Sequence, residues 1–231
     1  MKMPQKRHIV VFDLDGTLVD SAPDIAGAAN DTLTELGAAP LSLAAITRMI
    51  GDGAPKLMER ALSAAGLTLE LADVMPRFMQ HYDAHATRLV KPYPGVVETL
   101  AQLTRNGYRL GVCTNKPYQA TLMVLEACNL AAYFSACIGG DSLPQRKPQA
   151  EPLLAAIAQL QGTPDQAVMV GDSATDLATA VAAGIPALII PSGYGVETVA
   201  ATPGFDSFAD LPRLLHMLPS GNAPQGAFTG G

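Results

Sequence analysis

Cysteine is scarce: Cys113, Cys128 and Cys137 are the only three in 231 residues. They are odd in number and lack CxxC spacing, so neither a disulfide framework nor a zinc knuckle is indicated. A reducing, cytoplasmic setting is the expectation. Basic residues are also few, with 15 Lys plus Arg against 21 Asp plus Glu, a net charge of −6 and a pI near 5.1. Neither nucleic acid nor an anionic membrane is therefore an expected partner, although an acidic total can hide one small basic pocket. No apolar run reaches the ~18–20 residues that span a bilayer. Lys2, Lys6 and Arg7 lead straight into a strand-like run with no cleavable signal pattern. There is no internal repeat. What the chain does have is 48% hydrophobic and only 16% charged residues, the balance of an ordered protein with ample core. Its length suits one large α/β domain, or a domain with a small insertion.

Short β-branched runs punctuate the chain. His8-Ile-Val-Val-Phe12 ends abruptly at Asp13-Leu-Asp-Gly-Thr17 and reads as a buried strand entering a tight loop. Similar runs lie at Arg109–Thr114, Ala136–Gly139, Ala167–Gly171 and Ala187–Ile190. Helical patterns fall between them, near Gly95–Asn106, Tyr118–Asn129, Ala150–Gln161 and Ala174–Ala183. This alternation predicts an α/β fold, a Rossmann-like parallel sheet with helices on both faces. One segment breaks it. Ala22 to Arg88 shows only helical patterns, punctuated at Gly37–Pro40, Gly51–Gly53 and Gly66, so a small α-helical cap inserted after the first strand is expected. Lys91-Pro-Tyr-Pro-Gly95 reads as a stiff hinge returning the chain to the sheet. The expected division is a catalytic core of residues 1–20 and 90–218, a helical cap of 21–89, and a Pro- and Gly-rich tail, 219–231, expected to be disordered.

Polar residues gather at the strand ends. Asp13 and Asp15 stand two apart where the first strand stops, at the rim where open α/β sheets bind ligands. Two acids there suit an Asx-turn in a solvated loop, or a nucleophile and its acid/base partner beside a metal. Thr114-Asn115 ends the second core strand, and is either a helix cap ahead of Pro117 or a hydroxyl and amide at the same rim. Lys147 follows the third strand, and a lone lysine there also suits plain surface charge. Asp172 and Asp176 follow the fourth, one helical turn apart; dipole stabilisation of a helix start would account for an acid there. The coincidence of all four at one rim favours chemistry.

Those residues carry a resemblance. FDLDGT (12–17), Thr114-Asn115, Lys147-Pro148 and GDSATD (171–176) resemble, in order and spacing, the four motifs of the haloacid-dehalogenase-like hydrolase superfamily. LVDSAPDI (18–25), GDGAPKLMERAL (51–62), KPYPGV (91–96), RKPQAEPLL (146–154) and SGYG (192–195) are more narrowly similar to bacterial phosphoglycolate phosphatases. The likeness covers roughly residues 8–218. One departure is Ala150, where many relatives carry Pro after the motif lysine.

The resemblance implies an Mg²⁺-dependent phosphomonoester hydrolase working through an aspartyl-phosphate. A carboxylate that attacks a phosphate dianion meets about 4 kcal/mol of repulsion per unit-charge pair at 4 Å and a dielectric near 20. Cations must offset it. The implied nucleophile is Asp13, with Lys147 neutralising it together with the phosphate. Mg²⁺ would be held by Asp13, Asp172 and the backbone carbonyl of Asp15. Thr114 and Asn115 would bind phosphoryl oxygens, and Asp176 would orient Lys147 or a metal-bound water. The Asp15 side chain suits proton donation to an alkoxide, which a halide leaving group would not need. In the cap, the loop Gly51-Asp-Gly53-Ala54 could offer backbone N–H groups to a carboxylate, with Lys56 or Arg48 nearby; it could equally be an ordinary interhelical turn. That loop has no Arg to grip a second phosphate, which counts against a phosphosugar mutase. The expected partner is a small phosphorylated metabolite, 2-phosphoglycolate first and a sugar phosphate as the alternative, for a monomer or homodimer. A non-catalytic phosphate-binding module is the reading from another class. His81 and His85 are read as ordinary cap-helix residues, and Cys113 and Cys137 as core thiols.

Overall fold

The computed structural model describes residues 8–190, 193–195 and 207–218. The tail expected to be disordered, 219–231, and Ser192 of the SGYG string lie outside the described residues.

Strand β1 (Ile9–Phe12) is central to a five-stranded parallel sheet. Its partners are β4 (Arg109–Cys113) on one side and β6 (Ala167–Gly171) on the other, with β5 (Ala136–Ile138) and β7 (Ala187–Ile189) outermost. All four residues of β1 are buried because both sheet faces are covered. Side chains alternate across a strand, and the two faces meet different helices. Val10 and Phe12 join a core with α5 (Val96–Arg105), α6 (Tyr118–Ala127) and α9 (Leu211–Met217). Ile9 and Val11 join another with α7 (Glu151–Gln159) and α8 (Ala174–Ala183). The chain leaves β1 toward β4 and β5, then crosses back to β6. That reversal beside β1 opens a crevice at the strands' carboxyl ends.

Local sequence explains the helix bounds. In α5, Val96, Leu100 and Leu103 recur at helical spacing and are buried. In α8, Ser173 and Asp176 form a capping box and Gly184 closes the helix in the left-handed conformation.

The segment after the first strand is helical: α1 (Ala22–Glu35), α2 (Leu43–Thr47), α3 (Ala54–Ala64) and α4 (Leu71–His85). These pack around their own cluster, including Ile25, Leu33, Met58 and Phe78. His81 and His85 of α4 pair with Glu35 and Asp31 of α1 at 2.9 and 2.7 Å. The hinge differs from a plain linker. Lys91-Pro92 (β3) pairs antiparallel with Val19-Asp20 (β2), a two-residue ladder too short to leave a periodic signal. Asp24 of α1 is buried because its carboxylate accepts the N–H groups of Leu89 and Val90 at 2.9–3.0 Å, tying the returning chain to the departing one. Cys113 and Cys128 are buried and Cys137 half-buried, all three unbridged thiols.

Candidate active site

The ends of β1, β4 and β6 deliver their polar residues to one place. Asp13, whose N–H donates to the Val170 carbonyl at 2.9 Å, follows β1 directly. Asp172 follows β6. Oxygens of Asp13, Asp172 and Asp176 all lie within 4.8 Å of one another, and all three residues are buried. Burial first, then the neighbouring carboxylates, pushes Asp172 up to about 7. Asp13 is pushed up to about 6, again by burial first, with Lys147 opposing and Asp176 adding to it.

Lys147 bridges the cluster. Its ammonium lies 2.6 Å from Asp176 Oδ1 and 2.9 Å from Asp13 Oδ1, and its side chain is 2% exposed. Burial opposes its charge, but Asp13 and Asp176 together hold its pKa above the ordinary lysine value. Both oxygens of Asp176 are committed: Oδ1 to Lys147, Oδ2 to the N–H groups of Asp172 and Ser173 and the Ser173 hydroxyl. Asp13 Oδ1 is different. It is buried and, apart from the off-axis ion pair with Lys147, has no hydrogen-bond partner among the described residues. A buried oxygen in that state, on a residue clustered with Asp172, fits a hard divalent cation. Close approach here needs a glycine: Gly16 has φ +83°, and a Cβ on it would sit 2.5 Å from Asp172 Oδ2.

The other predicted residues divide. The Asp15 carboxylate lies outside the three-acid group and instead takes the Lys116 ammonium at 2.8 and 2.9 Å and the Ser21 hydroxyl at 2.5 Å. The Thr114 hydroxyl is buried in the cavity wall and accepts the Lys116 N–H at 3.3 Å. Asn115 has a task that sequence reasoning did not assign it. Its side-chain NH₂ donates to the carbonyls of Gly51 and Lys147, and its Oδ1 accepts the Lys147 N–H, each at 3.1 Å. With both side-chain donors spent, this amide is a strut fixing Lys147 and the Gly51 loop, and its side chain has none left for a phosphoryl oxygen.

Gly51 and Gly53 do line the cavity, with φ of +124° and +89°. A Cβ on Gly53 would approach the Asn115 carbonyl to 3.2 Å. The loop's charges are elsewhere. Lys56 is paired with Glu59 at the surface, Arg48 is exposed at the end of α2, and Arg60 is tied to Asp52 at 2.5 Å. Asp52 also accepts the Thr175 hydroxyl of α8 at 3.1 Å, so this loop docks on the sheet's rim.

Five further residues were not assigned from sequence. Thr17 Oγ1 donates to Asp172 Oδ1 at 3.0 Å, and the Tyr194 and Gly195 N–H groups donate to its Oδ2 at 2.6 and 3.1 Å. Ser21 holds Asp15. Lys116 is the fifth, and burial opposes its charge while Asp15 holds its pKa above the ordinary lysine value. Thr17, Ser21 and Tyr194 stand inside motif strings, which was the available signal. Lys116 directly follows Thr114-Asn115, but a lysine before a proline carries no mark of burial.

Comparison with known proteins agrees with this geometry. Residues 10–190 match the model of the haloacid dehalogenase-like hydrolase family. The chain belongs to this family. It is 46% identical over 215 residues to the phosphoglycolate phosphatase of Cereibacter sphaeroides, covering 90% of this chain and 98% of that one. A solved structure described as a predicted phosphoglycolate phosphatase from Haemophilus somnus superposes with a TM-score of 0.84 at 32% identity, over 90% of this chain and 97% of that one. CbbY from Rhodobacter sphaeroides, solved in complex with phosphate, has a TM-score of 0.75 at 25% identity, over 88% and 96%. The protein is thus an enzyme, a phosphoric monoester hydrolase of the haloacid dehalogenase-like kind. No helix among the described residues is long and apolar enough to cross a membrane.

Proposed function

We infer that the protein is a cytoplasmic, Mg²⁺-dependent phosphatase that hydrolyses 2-phosphoglycolate through a phosphorylated Asp13. The single observation that carries this is the buried Asp13 carboxylate at the end of the central strand, with one oxygen lacking an aligned hydrogen bond and the Lys147 ammonium 2.9 Å from it. In this reading residues 1–20 and 90–218 are the catalytic core and 21–89 the cap. The name shared by relatives such as the one 46% identical supports phosphoglycolate over a sugar phosphate. A mutase is disfavoured because Lys56 and Arg60 are already paired.

The first step forms a bond from an Asp13 oxygen to phosphorus and breaks the bond from phosphorus to the ester oxygen. Asp15 gives its proton to that departing oxygen, releasing glycolate. Water then attacks the phosphorus and passes a proton to Asp15, which restores Asp13 and frees inorganic phosphate. Lys147, anchored by Asp176, offsets the repulsion between carboxylate and phosphate, and Thr114 lines the cavity together with Asp13 and Asp15. A divalent cation held by the Asp13 and Asp172 carboxylates and the Asp15 carbonyl would supply further positive charge when bound. Three acids, Asp13, Asp172 and Asp176, against the one Lys147 ammonium leave the cluster with excess negative charge to receive it.

Phosphate release from 2-phosphoglycolate tests the reading. EDTA should abolish it and added Mg²⁺ restore it. Asp13→Asn should lower kcat by about a hundredfold or more, as expected for a lost nucleophile. A variant within about tenfold of the parent would overturn the assignment.

A further inference from the structure

Lys116 takes no part in the reaction set out above, yet it is placed like a working group. Its side chain is 4% exposed, with the ammonium against both Asp15 oxygens and 5.1 Å from the centre of the Tyr82 ring. Its backbone is held as well: its N–H donates to Thr114 Oγ1, and its carbonyl accepts the Gly140 N–H at 2.7 Å. Lysine is seldom buried so fully, and a buried ion pair is by itself weak evidence of added stability.

The surroundings say what it could bind. Among the described residues, Lys116 is the one lysine or arginine lining the cavity between the sheet's rim and the helices. The helical segment contributes an apolar part of the wall, with Ile25, Ile50, Leu57 and Phe78. The Gly51 loop brings no cation of its own, since Lys56 and Arg60 are paired with Glu59 and Asp52. A ligand that carries a second anionic group therefore meets one cation here besides those at the phosphate.

We propose that Lys116 is the specificity-determining residue, its ammonium receiving a carboxylate on the leaving group of a small phosphoester. The proposal rests on the reading of Asp15 as proton donor to the ester oxygen. A group in contact with Asp15 must then lie beside the leaving group, and in a 2-phosphoester of an acid the carboxylate is two bonds from that oxygen. An ammonium has three N–H donors, so the Asp15 carboxyl group and the ligand carboxylate can share it. The nearby Tyr82 ring favours retention of the cation when the cavity is dry.

Two non-hydrolysable probes separate the contributions in the Mg²⁺-loaded enzyme: 3-phosphonopropionate, which carries the carboxylate, and propylphosphonate, which does not. Calorimetry should show the parent enzyme binding the first at least about tenfold more tightly. Lys116→Met should remove most of that preference by weakening 3-phosphonopropionate about tenfold to a hundredfold, the range for a lost charge-assisted bond. Lys116→Arg, which keeps the charge, should retain part of it. Equal weakening of both probes would assign Lys116 to positioning Asp15 or to folding, and overturn the proposal. Equal affinity of the two probes for the parent would overturn it without any variant. If the preference is found but 2-phosphoglycolate is not hydrolysed, the proposed reaction fails while the carboxylate site stands.

Discussion

Lys147 is one cation between two buried carboxylates, and that gives it a structural duty beside its expected action at the reacting centre. Sequence reasoning offers Lys147 only charge neutralisation at the reacting centre, or plain surface charge. The geometry adds the structural duty. Without the ammonium, Asp13 and Asp176 face each other within the same 4.8 Å cluster, unneutralised. Removing one partner from a buried ion pair typically costs about 3–5 kcal/mol. Lys147→Met should therefore lower both kcat and the urea midpoint of the metal-free protein. An unchanged midpoint would show that Lys147 serves chemistry alone.

At the scale of elements, α1 begins without help from its own cap residue. Ser21 makes no side-chain cap bond, because its hydroxyl is turned to Asp15. The Tyr194 hydroxyl does the capping instead. It accepts the N–H groups of Ser21 and Ala22 at 2.7 and 2.8 Å and donates to Asp20 at 2.7 Å. The Tyr194 backbone meanwhile holds Asp172, so one residue joins the acidic cluster to the point where the helical segment departs. Tyr194→Phe leaves the Ser21 N–H unsatisfied and the Ala22 N–H with only Asp20 Oδ1 at 3.3 Å, and should cost about 1–2 kcal/mol by urea denaturation. A change below about 0.3 kcal/mol would show that solvent replaces the hydroxyl without loss. The Gly51 loop is set by elements too: Asn115 holds the Gly51 carbonyl, and Thr175 from α8 holds the Asp52 side chain. Any residue other than glycine at position 53 meets a strained φ besides whatever charge it carries.

At the scale of the whole molecule, the acidic cluster makes stability depend on pH and on metal. Burial raises Asp13 to about 6 and Asp172 to about 7 from an ordinary value of 3.8. Between those limits the folded state keeps protons that the unfolded state has lost. The contribution of these groups is thus fully present below about pH 4 and is lost as pH rises through 6 and 7. A divalent ion needs the deprotonated ligands and should restore what they lose. Added Mg²⁺ should therefore raise the melting temperature of EDTA-treated protein more near pH 8 than near pH 5.5. An equal rise at both pH values would place the ion elsewhere.

Much of this was legible in order of appearance. Periodicity located the five sheet strands, because strands buried on both faces read as continuous apolar runs. The four polar groups could be named because each directly follows a strand or stands in a motif string, as in GDSATD. Strand order across the sheet, and with it which loops meet, belongs to tertiary structure, since parallel neighbours are joined by long crossovers. That is why Lys116 and Tyr194 escaped: their partners lie 101 and 173 residues away in sequence, spans that the sheet must close. The sequence by itself determined the α/β class, the helical segment after β1 and the acids at the rim, because these rest on local pattern. Only the fold decided that Asn115 is a strut, that Lys147 bridges Asp13 and Asp176, and that Lys116 is the cavity's cation, because hydrogen-bond partners are chosen by position in space.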